Sequence, residues 1–143
     1  MPPHLGHVHL IVADLDRAIE FYTGLLDLSV TEQHGSYAFL SFGDRHHDLA
    51  LQARPDASSQ PPNSRGLYHV AFELDTPAAL GDAAGWLDDE AITVQPVDHG
   101  ISRSLYFDDP DGNGVELYVD TRTDDDEQWH GENTRFDPAT TTR

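Results

Sequence analysis

Two histidines and one glutamate in this sequence have the types and the spacing to bind a metal ion together. His7 and His69 are 62 residues apart, and each opens an alternating run, HVHLIV and HVAFEL. Glu116 lies in a third alternating run, between Val115 and Leu117. Two imidazoles and one carboxylate can hold a divalent ion on one side and leave the other side open for exogenous ligands, a set typical of non-haem Fe(II) chemistry. We therefore predict that His7, His69 and Glu116 are ligands of one metal.

Glu116 belongs to a predicted β-hairpin that spans residues 99–118. The turn Asp-Pro-Asp-Gly-Asn-Gly joins its two strand-like runs, because proline presets φ and both glycines can take positive φ. Side chains of a strand alternate between two faces, so Tyr106 and Glu116 fall on the polar face, opposite the apolar side chains of both runs. His99 stands where the hairpin begins. The hairpin therefore gathers three residues that could take part in catalysis.

The sequence repeats one order of elements, βαβββ. Alternating runs predict strands, and apolar residues at three- and four-residue spacing predict two amphipathic helices. Asp14 and Thr76 are predicted N-caps, and Pro77 suits the first turn of the second helix. A polar stretch rich in Pro and Ser separates the two copies. We predict one domain in residues 1–120, made of module one (5–53), a linker (54–65) and module two (66–120), followed by an acidic tail (121–143) that is extended or partly disordered.

Length and composition predict a single domain in which side-chain nitrogen and oxygen atoms bind the metal. A chain of 143 residues with 38% hydrophobic content can form one core but hardly two. The sequence has no cysteine, which excludes disulfides and thiolate metal sites. It begins with no signal-peptide pattern, and no apolar run approaches the roughly 18 residues of a membrane span. We therefore expect a soluble, cytoplasmic protein with no membrane partner.

The charge is strongly negative. The net charge is −18, from 26 acidic residues against 8 basic ones. Such a field repels phosphates, which argues against a nucleic-acid partner. All basic residues are arginine, and a heavily acidic surface is typical of proteins from salt-accumulating halophiles, where salt screens the self-repulsion. The composition therefore predicts a halophilic source.

Three segments resemble the vicinal oxygen chelate superfamily, which includes glyoxalase I, bleomycin-resistance proteins and the extradiol ring-cleaving dioxygenases. The segments are GHVHLIVADLDRAIEFY, GLYHVAF and DPDGNGVELY, in the order found in that superfamily, and the resemblance covers residues 5–120. It implies an α+β fold in which two βαβββ modules form an open, cup-shaped mixed β-sheet around the metal, with the helices outside. It also implies that His7, His69 and Glu116 bind the metal, and that the protein is a homodimer or larger.

Further segments resemble the catechol 2,3-dioxygenase type of extradiol dioxygenase. RHHDLAL resembles the segment whose second histidine, here His47, lies over the dioxygen site as acid–base catalyst. HGIS resembles the segment whose histidine, here His99, hydrogen-bonds the substrate hydroxyl, and Tyr106 matches an active-site tyrosine. The resemblance implies Fe(II), or Mn(II) with the same ligand preferences, and an aromatic diol with dioxygen as substrates. Strict alternation of strand side chains would place His47 on the same face as Leu49, so His47 must precede the strand or lie at a bulge. His46 therefore stays an alternative for the acid–base residue.

Two other functions of the same superfamily are weighed against a dioxygenase. Glyoxalase-type isomerases use a fourth ligand, a glutamate on the last strand of the first module. Aligning LALQ with VELY places Ala50 where that glutamate would stand, and alanine cannot bind a metal. Binding proteins of the bleomycin-resistance kind keep the fold but usually lack the metal triad, whereas all three triad positions are filled in this sequence. The sequence therefore favours the extradiol dioxygenase.

The net charge leads to a prediction about stability in salt. Screening of the self-repulsion is strong only when the Debye length falls from about 10 Å at 0.1 M salt to about 3 Å at 1 M. We expect the melting temperature to rise as salt increases from roughly 0.1 to 2 M. Thermal unfolding followed by circular dichroism measures it, and a melting temperature that does not change with salt would contradict the expectation.

Overall fold

The computed structural model describes residues 2–139, which form an α+β protein with two mixed β-sheets and two helices. Each half follows the order βαβββ, which confirms the fold predicted from the sequence repeat. Neither helix of this part of the chain is long and apolar enough to cross a membrane. The elements are β1 (Val8–Val12), α1 (Leu15–Leu25), β2 (Ser29–His34), β3 (Tyr37–Ser41), β4 (Leu49–Ala53), β5 (Val70–Glu73), α2 (Pro77–Asp89), β6 (Gln95–Asp98), β7 (Ser102–Asp108) and β8 (Gly114–Asp120).

The chain divides into two compact units. The first comprises the described residues up to Ser64 together with Asp109–Asn113, and the second comprises Arg65–Asp108 and the described residues from Gly114 onward. The first unit has the strand order β1-β4-β3-β2, and the second has β5-β8-β7-β6. In each sheet the first strand runs parallel to the last, and the remaining pairs are antiparallel. The two units therefore have the same topology.

Helix α1 covers the sheet of the first unit. The Asp14 side chain accepts a hydrogen bond from the backbone N–H of Arg17 (3.1 Å), which confirms the predicted N-cap. Ala18, Phe21 and Tyr22 are buried on the helix face that packs against β3 and β4. Burial of these side chains is the main force that holds α1 on the sheet, because an 11-residue helix is marginal in water by itself.

Helix α2 covers the sheet of the second unit in the same way. The Thr76 hydroxyl accepts a hydrogen bond from the backbone N–H of Ala79 (3.1 Å), and Pro77 follows in the first turn, as predicted. Leu80 and Leu87 are fully buried, and α2 contacts the central strand β8. The apolar residues of β8 therefore face the helix, which leaves the opposite face of that strand for polar side chains.

The turn Asp109–Asn113 belongs to the first unit, although the strands on either side of it belong to the second. The Tyr22 hydroxyl donates a hydrogen bond to Asp109 Oδ2 (2.7 Å), and both residues are buried. The Asp109 Oδ1 atom accepts from the backbone N–H groups of Asp111 and Asn113, each at 2.9 Å. Burial and the Asp109 carboxylate raise the pKa of Tyr22 well above its usual value, so the phenol keeps its proton. The turn is thus held by a buried, hydrogen-bonded carboxylate.

Some observed strand limits differ from those predicted. The sequence predicts a run over 28–32, but β2 continues to His34, where it pairs with Tyr37. The run predicted to begin at His47 pairs only from Leu49, so His47 precedes the regular strand, as its place in the alternation requires. The local sequence pattern shows which residues can form a strand. The limits of the strand depend on how far the neighbouring strand continues to pair with it.

The C-terminal tail lies along β6. Asp98 and Thr134 form an antiparallel bridge, with backbone N–H···O distances of 2.6 and 3.0 Å. The Arg103 guanidinium lies 5.3 Å from the centroid of the Phe136 ring, within reach of a cation–π contact. Composition predicts an extended or partly disordered tail and does not indicate these contacts. Residues 140–143 lie outside the described residues.

The buried carboxylate of the turn leads to a prediction about stability. Tyr22→Phe removes one hydrogen bond to Asp109 and leaves its other donors in place. We expect a loss of about 1–3 kcal/mol in the free energy of unfolding, because the buried Oδ2 atom keeps the Asn113 amide but loses one of two donors without regaining water. Urea denaturation measures it. Tyr68→Phe is the control, since Tyr68 is 88% exposed, and an equal loss in both variants would contradict the role given to Tyr22.

Candidate functional site

His69 and Glu116 come together on the polar face of the second sheet. Ala71 pairs with Glu116 in the parallel register of β5 and β8. His69 precedes Ala71 by two residues and therefore has its side chain on the same face of the sheet as Glu116. The distance between His69 Nε2 and Glu116 Oε1 is 3.0 Å. The His69 side chain is 29% exposed and that of Glu116 is 12% exposed. The pair is therefore desolvated in part but open on one side.

Gly114 allows β8 to begin at this place. A Cβ atom at Gly114 would collide with the backbone carbonyl oxygen of Tyr68, the residue before His69. Any side chain at Gly114 would push the start of β8 away from the start of β5. This glycine is thus required for the close approach that sets His69 next to Glu116.

Strand β7 supplies the other neighbours of Glu116. Tyr106 is directly opposite Glu116 in the antiparallel register, and Ser104 is opposite Tyr118, on the same face. The Ser104 hydroxyl donates a hydrogen bond to Glu116 Oε2 (2.7 Å), and Ser104 is fully buried. One carboxylate oxygen is thereby held by Ser104, which leaves Oε1 to face His69.

His99 and Tyr106 form a second pair on this face. His99 Nε2 lies 2.8 Å from the Tyr106 hydroxyl, and the ring centroids of Tyr106 and His69 are 5.6 Å apart. Burial, together with the Glu116 carboxylate, raises the pKa of Tyr106, because both disfavour the phenolate. Tyr106 therefore keeps its proton at neutral pH and can donate it to a hydrogen bond with His99 Nε2. The structure thus brings together four residues singled out from the sequence: His69, His99, Tyr106 and Glu116.

The spacing of the donor atoms in the His69–Glu116 pair suits a shared metal. Two ligands that each lie about 2.1 Å from one ion, at right angles, are about 3 Å apart. The 3.0 Å between His69 Nε2 and Glu116 Oε1 matches that separation. Imidazole nitrogen and carboxylate oxygen are also the donors that suit a divalent iron or manganese ion. The two residues of this unit fit the metal that the sequence pattern implies.

His7, the third predicted ligand, lies in the first unit. Its ring centroid is 4.5 Å from that of His47. Within residues 2–139, no three His, Cys, Asp or Glu side chains are grouped so as to hold a metal ion. The structure therefore pairs two of the predicted ligands, and the participation of His7 stays a prediction.

His47 lies in a cluster of rings in the first unit. Besides His7, its ring contacts Phe39, with centroids 4.9 Å apart. Burial is the main cause that lowers the pKa of His47, and the nearby imidazoles of His7 and His46 add to it. A lowered pKa keeps His47 neutral at pH 7, the form in which an imidazole can accept a proton.

His46 bridges His47 and a carboxylate. Its Nε2 lies 3.0 Å from Glu32 Oε1, and its Nδ1 lies 2.9 Å from His47 Nδ1. The Glu32 carboxylate accepts a hydrogen bond from His46 Nε2–H, and one of the two Nδ1 atoms can donate to the other. Both ring nitrogens of His46 are thus engaged, whereas the Nε2 atom of His47 takes no part in this contact. His46 thereby orients the ring of its neighbour.

The register of the first sheet supports the alignment of Ala50 with Glu116. His9 pairs with Ala50 in β1 and β4, as Ala71 pairs with Glu116 in β5 and β8. Likewise Phe39 stands opposite Ala50, as Tyr106 stands opposite Glu116. The position that carries the carboxylate in the second unit therefore carries a buried methyl group in the first.

A cleft of about 780 Å³ opens beside the paired residues of the second unit. Its volume is in the usual range for small-molecule sites. Its walls include Tyr68, His69, His99, Tyr106, Trp129 and Asn133. Aromatic and imidazole side chains thus line a space large enough for a substituted benzene ring.

Sequence reasoning missed several residues of this site. Ser104 could have been found, because it lies two residues before Tyr106 and strand side chains two apart share a face. Asn133 and Trp129 follow the last strand of the sheet, and no local pattern relates them to His99. Glu32 lies far along the chain from His46 and gives no signal before the strands are placed.

A family model described as the glyoxalase/bleomycin resistance protein/dioxygenase superfamily matches residues 4–117. The chain is 34% identical over 127 residues to biphenyl-2,3-diol 1,2-dioxygenase 2 of Rhodococcus globerulus, covering 87% of this chain and 67% of that protein. It is 35% identical over 118 residues to catechol-2,3-dioxygenase of Bacillus subtilis (strain 168), covering 82% of this chain but 41% of that protein. The chain thus spans only part of these two dioxygenases.

Other relatives have other activities in their names. The chain is 30% identical over 137 residues to metallothiol transferase FosB of Staphylococcus epidermidis (strain ATCC 12228 / FDA PCI 1200), and the match covers 92% of each chain. Among solved structures, a glyoxylase/bleomycin resistance protein/dioxygenase domain from Frankia sp. EAN1pec superposes with a TM-score of 0.73 at 20% identity, covering 87% of this chain and 96% of that one. The structural likeness concerns the fold alone, and the names of the relatives include dioxygenases, transferases and a lyase.

Proposed function

Since this chain belongs to the glyoxalase/bleomycin resistance protein/dioxygenase superfamily, we propose that it is an extradiol ring-cleaving dioxygenase that acts on a catechol-type aromatic diol with Fe(II) and dioxygen. The observation that carries the proposal is the hydrogen-bonded pair His99–Tyr106, which lines one cleft together with His69, the partner of Glu116. A metal-binding pair next to an imidazole and a phenol can bind a diol and take up its proton. The dioxygenase relatives support the same reaction.

The proposed metal ligands are His7, His69 and Glu116. The fit of His69 and Glu116 to one ion supports two of them, and His7 occupies the position in module one that His69 occupies in module two, directly before the first strand. An Fe(II) or Mn(II) ion held by these residues would supply Lewis-acid chemistry toward the diol and redox chemistry toward dioxygen. Ser104 donates a hydrogen bond to the second oxygen of the Glu116 carboxylate and so orients this proposed ligand without binding the metal itself.

His99 and Tyr106 would bind and orient the diol. The Tyr106 O–H group can hydrogen-bond a substrate oxygen in place of His99, and the His99 Nε2 lone pair can then accept a proton from the diol hydroxyl. The second proton transfer is assigned to His47, whose neutral ring and free Nε2 suit an acid–base role. Each residue thus moves or holds a proton at a named nitrogen or oxygen.

Two further functions of the superfamily are compared with this one. A glyoxalase-type isomerase is disfavoured by Ala50, which stands in the register position of Glu116 and offers no ligand. A thiol transferase is the second candidate, because the match to metallothiol transferase FosB extends over 92% of both chains. The two candidates differ in what they consume, since ring cleavage uses dioxygen and thiol transfer does not.

We also propose a cellular location and an oligomeric state for this protein. We expect a cytoplasmic homodimer or larger oligomer whose partners are the diol and dioxygen, with no nucleic acid bound. Size-exclusion chromatography with light scattering measures the oligomeric state.

Metal content tests the ligand set. The purified protein should carry about one Fe(II) or Mn(II) per chain, and His7→Ala, His69→Ala and Glu116→Ala should each lose it, because a facial site with two ligands holds metal weakly. Ser104→Ala should weaken metal affinity about 10- to 100-fold, as is usual for the loss of an outer partner. Atomic absorption after dialysis measures the metal, and circular dichroism shows whether each variant is folded.

His9→Ala is the matched control for the metal measurement. His9 lies on β1, two residues after His7, and its Nε2 lies 3.0 Å from the side-chain amide of Gln52. The His9→Ala variant should therefore keep its metal. Full metal retention in any two of the three ligand variants would overturn the triad.

His47→Asn separates the acid–base role from metal and substrate binding. The variant should keep its metal and its anaerobic catechol affinity, because the ligands and the diol-binding pair are untouched. Turnover should fall by about 10² to 10⁴, the usual value of a positioned acid or base. An oxygen electrode measures the rate, and anaerobic titration measures diol binding.

His46→Asn is the companion variant. It removes the ring that orients His47 but not the acid–base group itself. The fall in turnover should therefore be smaller for His46→Asn than for His47→Asn. If His46→Asn is impaired and His47→Asn is normal, the assignment of the two adjacent histidines is wrong. If metal-loaded wild-type protein consumes no dioxygen with any simple catechol, yet isomerises a hemithioacetal or transfers a thiol, the dioxygenase proposal fails.

A further inference from the structure

The C-terminal segment Trp129–Thr134 contacts His99 on the side of the ring opposite Tyr106. Asn133 Oδ1 lies 2.7 Å from His99 Nδ1, while Tyr106 binds Nε2. The centroid of the Trp129 ring is 6.2 Å from that of His99, in an edge-on arrangement. Both Trp129 and Asn133 line the cleft that holds His69 and Tyr106.

The segment is held by contacts that do not involve the cleft. The backbone of Thr134 makes two hydrogen bonds with Asp98, the residue before His99. The Trp129 indole N–H donates a hydrogen bond to the backbone oxygen of Glu132 (2.9 Å). These bonds set the direction of the Asn133 side chain and of the indole ring before any ligand binds.

The Asn133 contact decides which nitrogen of His99 carries the proton. A carboxamide oxygen only accepts hydrogen bonds, so His99 Nδ1 must be the protonated nitrogen. The neutral ring then has its lone pair on Nε2, where it accepts from the Tyr106 hydroxyl. The opposite tautomer would place a lone pair against the Asn133 oxygen and a proton against Tyr106, and His99 could not accept a proton from a diol.

We propose that Asn133 is a positioning residue that fixes the tautomer and orientation of His99, and that Trp129 forms the wall of the cleft against which the substrate ring packs. The substrate part rests on the proposed function. Asn133 acts through His99, whereas Trp129 touches the substrate. The tail of this chain is thereby part of its active site.

The first experiment reads the tautomer directly and needs no turnover. Two-bond ¹H–¹⁵N correlation spectra of the metal-free protein distinguish Nδ1–H from Nε2–H histidines, and His99→Gln identifies the His99 signals. Wild-type His99 should be the Nδ1–H form. Asn133→Leu, close in shape but without an acceptor, should shift His99 toward the other tautomer, and Asn133→Asp should restore the Nδ1–H form.

The second experiment separates the two roles kinetically. Asn133→Leu should lower kcat about three- to tenfold with KM nearly unchanged, the size expected for the loss of one hydrogen bond. Trp129→Ala should raise KM roughly tenfold with kcat nearly unchanged, because a flat apolar wall binds substrate and transition state alike. Trp129→Phe should recover most of the affinity.

Thr134→Ala is the control for Asn133, since the contacts of Thr134 are made by its backbone. It should match wild type in both experiments. Diol binding can also be followed by quenching of Trp129 in the Trp86→Phe background, where Trp129 is the one remaining indole of the two in the sequence.

The proposal is overturned if wild-type His99 is the Nε2–H form, or if Asn133→Leu leaves both the tautomer and kcat unchanged. It is overturned for Trp129 if Trp129→Ala binds the diol as wild type does. If the wild-type protein turns over no diol, the proposed function fails, while the spectra still decide whether Asn133 sets the His99 tautomer.

Discussion

The register of β8 between its two neighbours is the constraint on which the site depends. Val115, Leu117 and Val119 are buried, so Glu116 must face the other side of the sheet. A slip by one residue would bury the carboxylate and expose three apolar side chains, at a cost far above that of any single contact in the site. Packing of an apolar face thus determines where the Glu116 carboxylate points.

The same register selects the partners of that carboxylate. Tyr106 and Ser104 are set around Glu116 because β7 is antiparallel, and His69 reaches it because β5 is parallel and its start is in register with the start of β8. Gly114 permits the approach of β5 and β8 at that point. A mixed sheet with β8 at its centre therefore collects groups from three strands on one polar face.

Hydrogen bonds then decide how the nitrogens of two histidines are used. His99 is held between an oxygen that only accepts and a phenol that keeps its proton, and His46 is held between Glu32 and His47. In each ring both nitrogens have a partner, and the nature of the partner decides whether a nitrogen donates or accepts. Chemistry at an imidazole depends on this choice as much as on its position.

The amino-acid sequence by itself determined the βαβββ repeat, the N-caps Asp14 and Thr76, and the polar face that carries Tyr106 and Glu116, because these follow from local periodicity and local hydrogen bonding. It also determined which residues could bind a metal, since ligand chemistry belongs to the side chain. Only the tertiary structure decided that Ser104 orients Glu116, that Glu32 supports His46, and that Asn133 and Trp129 meet His99. Those contacts join residues of separate elements, and their distances are set by strand pairing and by the path of the tail, which no local pattern encodes.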